Sequence, residues 1–388
     1  MPAPVDCNLC SRSETRDRVV NPPLREAKYL VVVDAPIKGD EVRGRFATGS
    51  TGDVLRQALR DAGISETDVV VTGATRCTMD KAPLKAHIDA CRPFLMQDIA
   101  AVKPEVIITM GQGSLASVLK LKGVKAQRGS IWDDNAIGVP VVPTYSLGVV
   151  YRNYKDLEFI ASDLRKAKDA ANGVVTEPDH TIVGITRTVD EVREVRDYLL
   201  AANEFSFDIE STGLNPLADN AQVLCFSFSA KAGYGYTVPL VGYMGRDFWS
   251  PADYEVVFGY LCEILSSPVP KIASNGKFDV RYIETTLGIP VNGFAFDCQL
   301  AYAMIHEEWP HDLEHMRTLF TQMKRYDMFK DDEEAKKTVA EWGYAGYPEE
   351  ELWVYAAHDA DVEYRVAQKL GPLVAAEAKG AGGPFSRW

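Results

Sequence analysis

Asp208 and Glu210 stand two residues apart in the run Phe205-Ser206-Phe207-Asp208-Ile209-Glu210. On a strand that spacing puts both carboxylates on one face, where they repel unless a cation or water offsets them. An exposed strand face would account for the pair by itself. Asp279 closes the run Asn275-Gly276-Lys277-Phe278-Asp279 and falls at the start of a predicted helix, where the helix dipole favours a carboxylate. Tyr355 and Asp359 are four apart, which places them on one helix face. Carboxylate oxygens are the preferred ligands of hard divalent ions such as Mg²⁺ and Mn²⁺. Two such ions about 3.5–4 Å apart stabilise both the attacking and the leaving oxygen in phosphodiester hydrolysis.

A second set of reactive side chains lies in the first half. Cys7-x2-Cys10 is followed far downstream by Cys77-x13-Cys91. Four thiolates can hold zinc or an iron–sulfur cluster, although the second Cys-x2-Cys pair of a zinc ribbon is absent. Unligated thiols are the plain alternative. Cys225, Cys262 and Cys298 sit alone in apolar stretches and read as buried core thiols. A disulfide framework is not expected, because the chain is not a small secreted scaffold.

The elements that must position these groups follow from the apolar pattern. The chain has 388 residues, with 46% hydrophobic and 25% charged, which suits two or three globular domains. Strands are predicted at 29–33, 68–72, 105–109 and 139–145, with helices at 52–62, 90–102, 114–121 and 155–171 between and after them. That alternation implies a mostly parallel sheet covered on both faces. Composition breaks at 170–180, which is read as a linker. A helix at 189–202 and strands at 205–210, 222–230, 234–240 and 271–274 follow. Helices dominate after Pro251, giving an α+β or mixed second domain. Residues 324–351 read as a charged, poorly patterned insertion, and 378–388 as a Gly-rich frayed tail.

Net charge is −13, divided unevenly: residues 1–176 sum to +3 and 177–388 to −16. A nucleic-acid binder usually shows a basic footprint, so the acidity of the second half needs bound cations to reverse the local field or is a solvated surface. No apolar run approaches the ~20 residues of a membrane span and the first 25 residues have no signal-peptide core. A cytoplasmic protein without membrane partners is expected.

Taken in order, Asp208-x-Glu210, Asn275-x2-Phe278-Asp279 and Tyr355-x3-Asp359 resemble the three motifs of the DEDDy 3′–5′ exonucleases, most closely the proofreading domain of family A (DNA polymerase I type) DNA polymerases. Phe296-Asp297, His311-Asp312-Leu313 and the run from Tyr355 to Asp361 extend the likeness over about residues 181–373. The resemblance implies a ribonuclease-H-like mixed-sheet domain in which Asp208, Glu210, Asp279 and Asp359 hold two divalent ions (Mg or Mn). Tyr355 would orient the attacking water. Its ordinary pKa near 10 suits a neutral positioning role. Asn275 and Phe278 would contact the DNA strand or the core, and Leu214 the terminal base.

The first half, about residues 4–171, resembles the family 4 (iron–sulfur) uracil-DNA glycosylases. The likeness rests on the cysteine order, Ala35-Pro36, the Gly44 to Gly52 segment, Cys91-Arg92-Pro93-Phe94-Leu95, Arg128-Gly129 and Pro143-Thr144-Tyr145 with Arg152. It implies a 4Fe–4S cluster on Cys7, Cys10, Cys77 and Cys91. The chemical groups depart from the family. Asp34 stands where an acid, usually Glu, precedes Ala-Pro. Gly73 replaces the Asn that reads uracil, Ser146 replaces the His after Thr-Tyr, and Phe46-Ala47 displace the base-stacking Phe. Glycine has no amide with which to read a base, and the help of an imidazole is lost. Uracil excision is therefore not expected, and a DNA-binding or scaffold module is; a glycosylase with altered groups is the alternative.

The α/β chain is thus expected to comprise a glycosylase-like parallel-sheet domain (1–172), a linker (173–180) and an exonuclease domain (181–388). Its expected partner is DNA, as a single-stranded 3′ end or primer terminus, together with a polymerase domain or subunit. The chain ends about 30 residues after Asp359, and a fragment of a longer polymerase, from a bacterium or bacteriophage, is the preferred reading over a stand-alone subunit. An RNA-trimming exonuclease of the ribonuclease D type and a non-catalytic DNA-binding module are the rivals.

Overall fold

The computed structural model describes residues 6–16, 18–79, 81–174 and 180–379. Contacts divide the chain into two compact units, Met1–Thr176 with Gln322–Lys324, and Glu177–Thr321 with Arg325–Trp388.

The first unit is built on β1 (Tyr29–Val33), β2 (Val69–Gly73), β3 (Val106–Met110) and β4 (Val141–Thr144), all parallel, in the order β2-β1-β3-β4. β1 and β3 are buried along their whole length, as expected of β-branched runs covered on both faces. Alternation within β1 divides the core. Tyr29, Val31 and Val33 pack with Leu55, Leu59 and Leu164 from helices Gly49–Ala62 and Asp156–Ala171. Leu30 and Val32 face Leu95, Ile99 and Val118 from helices Lys85–Val102 and Gln112–Leu119. Two buried ion pairs fasten the layers: Arg128 with Asp163 at 2.9 Å, and Arg76 with Asp98.

The second unit has a six-stranded mixed sheet. Its strands are β5 (Ile182–Ile185), β6 (Phe205–Ser211), β7 (Val223–Ser229), β8 (Tyr234–Pro239), β9 (Lys271–Ala273) and β10 (Phe294–Asp297), ordered β10-β9-β6-β7-β8-β5. β6, β7 and β8 form an antiparallel meander, β9 and β10 extend it in parallel on one side, and β5 pairs parallel with β8 on the other. The long helix Glu349–Lys379 packs on β6, β7 and β8. Gly235 allows this approach, since a Cβ there would lie 2.1 Å from the Ala357 carbonyl oxygen. Thr237 Oγ1 donates to the Trp353 carbonyl at 2.7 Å and Ser206 Oγ to that of Ala360 at 2.6 Å, pinning the helix lengthwise.

Several expectations need correction. β5 and β10 carry no clear pattern because they are short edge strands with partly or fully exposed residues. Segment 324–351 is not patternless: it holds the 3₁₀ turn Met328–Asp331 and the helix Glu333–Trp342, which Asp332 caps by accepting from the backbone N–H of Glu334 and Ala335. Cys225 and Cys298 are buried, but Cys262 is only partly so. Of the expected linker, residues 175–179 lie outside the described residues. So do residues 380–388 of the tail, whose first two residues belong to the long helix. Among the described residues no helix is long and apolar enough to cross a membrane.

Candidate active site

β6 delivers Asp208 and Glu210, and the long helix delivers Tyr355 and Asp359. One carboxylate oxygen from each of Asp208, Glu210 and Asp359 lies within 4.8 Å of the others. Such a set is a ready site for a divalent ion. Asp279 is not part of that closed triad, but it is buried and its charge is the foremost one acting on Asp208. The helix that carries it, Gly276–Leu287, starts from Asn275 in the left-handed region (φ 62°). Asp297 fixes this start by accepting from Asn275 N at 3.1 Å and Gly276 N at 3.0 Å. Gly276 is required there, since a Cβ would meet the Phe294 ring at 2.6 Å.

Burial and mutual repulsion disfavour ionisation of the clustered carboxyls. Burial, then the charges of its neighbours, raises Asp208 well above the usual carboxylate range. Burial pushes Glu210 up to about 8 and Asp279 up to about 7. Asp359 is also raised by burial, with partial relief from Lys330 and from the hydroxyls of Tyr326 and Tyr355. Burial and the Asp359 charge raise the Tyr355 phenol well above its ordinary value, so it is neutral and its O–H is a donor.

Three groups at this site were not singled out from the sequence. Tyr326 donates to Asp359 Oδ1 at 2.5 Å. Lys330 lies over the Tyr355 ring, 3.5 Å from its centroid. Glu363, one turn beyond Asp359, is buried, accepts from Ser274 N at 2.8 Å, and leaves Oε2 without a partner. Its Tyr355-x3-Asp359-x3-Glu363 spacing was the available signal for Glu363. Tyr326 and Lys330 come from the segment that lacked a pattern.

In the first unit, Cys7, Cys10, Cys77 and Cys91 are free thiols, and Cys7 packs beside Cys77. Burial pushes Cys77 up to about 11, and the other three cysteines add to it. Burial likewise raises Cys91. Among the described residues no three of these sulfurs close to within 4.8 Å of one another. Four thiolates are a donor set for a zinc ion or an iron–sulfur cluster alike.

Residues 183–375 match the 3′-5′ exonuclease family of the DNA polymerase A type, and residues 22–168 match the uracil DNA glycosylase superfamily. The chain joins a uracil-DNA glycosylase superfamily domain to a 3′–5′ exonuclease domain. The DNA polymerase of Bacillus phage SP01 is 24% identical over 383 residues, 90% of this chain and 40% of that polymerase. The chain therefore spans well under half the length of this relative. The type-4 uracil-DNA glycosylase of Saccharolobus solfataricus is 26% identical over 169 residues, 41% of this chain and 78% of that protein. Among solved structures, ribonuclease D of Trypanosoma brucei in complex with GMP matches 48% of this chain and 56% of its own, at 16% identity and a TM-score of 0.38.

In the exonuclease domain, Phe278 packs against the apolar core and Leu214 is 87% exposed. In the glycosylase domain, a cavity of about 170 Å³ is lined by Asp34, Ala35, Asp40, Ala47, Ser146 and neighbours. Asp34 accepts from Ser114 N at 2.7 Å, and burial raises its carboxyl. Phe46 does not line the cavity. It is buried, and its ring occupies the space beside Gly73, where a Cβ would lie 2.4 Å from Phe46 Cε1.

Proposed function

We propose that the chain is a metal-dependent 3′–5′ exonuclease acting on DNA ends, working as part of, or beside, a family A DNA polymerase. The convergence of Asp208, Glu210 and Asp359 within 4.8 Å carries this reading. Asp208, Glu210, Asp359 and Asp279 would hold two divalent ions. Their burial and mutual repulsion suit cations better than water. Bound ions would supply charge neutralisation at the scissile phosphate and at the attacking water. The protein's own part is positional. Tyr355, neutral and donating its one O–H to Asp359, can accept a hydrogen bond from a water lying beside the carboxylates. Asp297 holds the helix that aims Asp279, and exposed Leu214 would contact a terminal base.

The glycosylase domain is read as a DNA-holding module with a 4Fe–4S cluster on Cys7, Cys10, Cys77 and Cys91. A cytoplasmic setting in a bacterial or phage-infected cell follows from the same reading.

The test is digestion of matched single-stranded DNA and RNA oligonucleotides with Mg²⁺ or Mn²⁺. DNA should shorten from its 3′ end, and chelator or Asp208→Ala should abolish the activity. Undiminished cleavage in excess chelator would sink the two-ion reading, and a preference for RNA would favour an RNA-trimming enzyme.

A further inference from the structure

We propose that Lys330 is a further catalytic residue of the exonuclease site, its ammonium contacting a non-bridging oxygen of the scissile phosphate. This rests on the exonuclease reading above.

Lys330 comes from the 3₁₀ turn Met328–Asp331. Its Nζ lies 3.5 Å from the Tyr355 ring centroid, 5.1 Å from that of Tyr344 and 5.9 Å from that of Phe329. Among the described residues, no carboxylate lies within 4.0 Å of it, and its ammonium makes no hydrogen bond. A lysine near several acids ordinarily closes onto one of them. Here aromatic faces hold the cation, an arrangement that conserves all three N–H donors. Its charge still reaches the site, since it counters the burial of both Glu210 and Asp359. The group is thus pre-positioned over the phenol ring, its charge felt by the carboxylates and its donors unspent. An anionic phosphate oxygen is the ligand that such an ammonium takes as a point charge.

In the reaction, the water oxygen bonds to phosphorus while the bond from phosphorus to the 3′ oxygen breaks. One water proton ends on that 3′ oxygen and the other stays with the phosphate monoester formed. Lys330 exchanges no atom. It offsets charge on the phosphoryl oxygens as the displacement proceeds.

The rival role is an internal counter-ion that only relieves the carboxylates until metal arrives. Lys330→Met separates the two roles, because it keeps the stem over the rings and removes the charge. Wild type, K330M, K330R and D208A are compared on single-stranded DNA across a Mn²⁺ titration, with thermal melts to verify folding. Thymidine 5′-monophosphate, which carries the product phosphate, is titrated calorimetrically in Ca²⁺. At saturating Mn²⁺, K330M should lose about 100-fold in kcat with KM little changed. It should bind the monophosphate about tenfold more weakly, and K330R should regain part of both. A K330M enzyme as fast as wild type at saturating Mn²⁺, reached at lower Mn²⁺, would overturn the proposal in favour of the counter-ion. A wild type as inactive as D208A would instead overturn the exonuclease reading, and this proposal with it.

Discussion

Tyr326 donates its hydroxyl proton to Asp359 at 2.5 Å, while its ring stacks on His358 with centroids 4.8 Å apart. The irregular segment before helix Glu333–Trp342 therefore reaches into the carboxylate site and engages Oδ1 of Asp359. Burial raises the Tyr326 phenol well above its usual range, so the proton stays on the tyrosine and the bond keeps its polarity.

Tyr326→Phe should weaken Mn²⁺ binding by about tenfold, because outer partners that orient a metal-binding carboxylate typically contribute 10- to 100-fold. The ring contact with His358 survives, so the melting temperature should change little. Calorimetric Mn²⁺ titration of the variant checks this. Tighter binding would mean that the hydroxyl competes with the ion.

Metal-free stability should fall as pH rises. Glu210 and Asp279 are raised by burial to about 8 and about 7 in the folded chain, against about 4.3 and 3.9 unfolded. Between these limits the folded state binds more protons than the unfolded one, so unfolding becomes easier with increasing pH. Their contribution is fully present below the unfolded values and is lost as pH passes through the folded ones. In chelator, thermal melts should drop between about pH 5 and about pH 8, and Glu210→Gln should flatten the drop. Added Mg²⁺ or Mn²⁺ should restore stability most at the alkaline end. A flat profile in chelator would contradict the burial of these acids.

Why the site was half legible in the sequence follows from how each group is held. Asp208 and Glu210 share a strand face and Tyr355 and Asp359 a helix face, so local periodicity already pairs them. The β1 and β3 runs were plain because burial on both faces leaves nearly continuous apolar runs rich in Val and Ile. Lys330 is positioned by a 3₁₀ turn and lies over the Tyr355 and Phe329 rings, and Tyr326 is held by ring packing against Tyr355 and His358. Neither device has a sequence period. Glu363 was hidden differently. A glutamate on a helix reads as solvated, and only the sheet and Ser274 around it make it buried. Strands β5 and β10 stayed unseen because an edge strand need not alternate.

The cysteine quartet predicts a redox centre separable from the nuclease. Anaerobically prepared protein should contain iron and acid-labile sulfide in comparable amounts, with a visible charge-transfer absorption. Cys77→Ser should lose this absorption and lower the melting temperature of the first unit, because Cys77 packs with Val19, Cys7 and Phe94. At saturating single-stranded DNA the same variant should digest at the wild-type rate, since the exonuclease side chains lie in the second unit. Stoichiometric zinc without sulfide would refute the cluster.

Restoring an amide at position 73 should not restore uracil excision. The family resemblance places a uracil-reading Asn there, yet a Cβ on Gly73 would meet Phe46 at 2.4 Å and the Thr75 carbonyl oxygen at 2.6 Å. Overpacking of this kind typically costs about 1–3 kcal/mol, so Gly73→Asn should melt earlier than wild type. Phe46→Ala beside it should recover part of that loss by opening the ring's space, although the carbonyl contact persists. Neither the single nor the double variant supplies an imidazole at Ser146. Both should leave uracil-containing DNA resistant to alkali, as should wild type. Alkali-labile sites formed by the wild-type protein with turnover would show that the cavity beside Asp34 is an active glycosylase site using groups other than those the resemblance names.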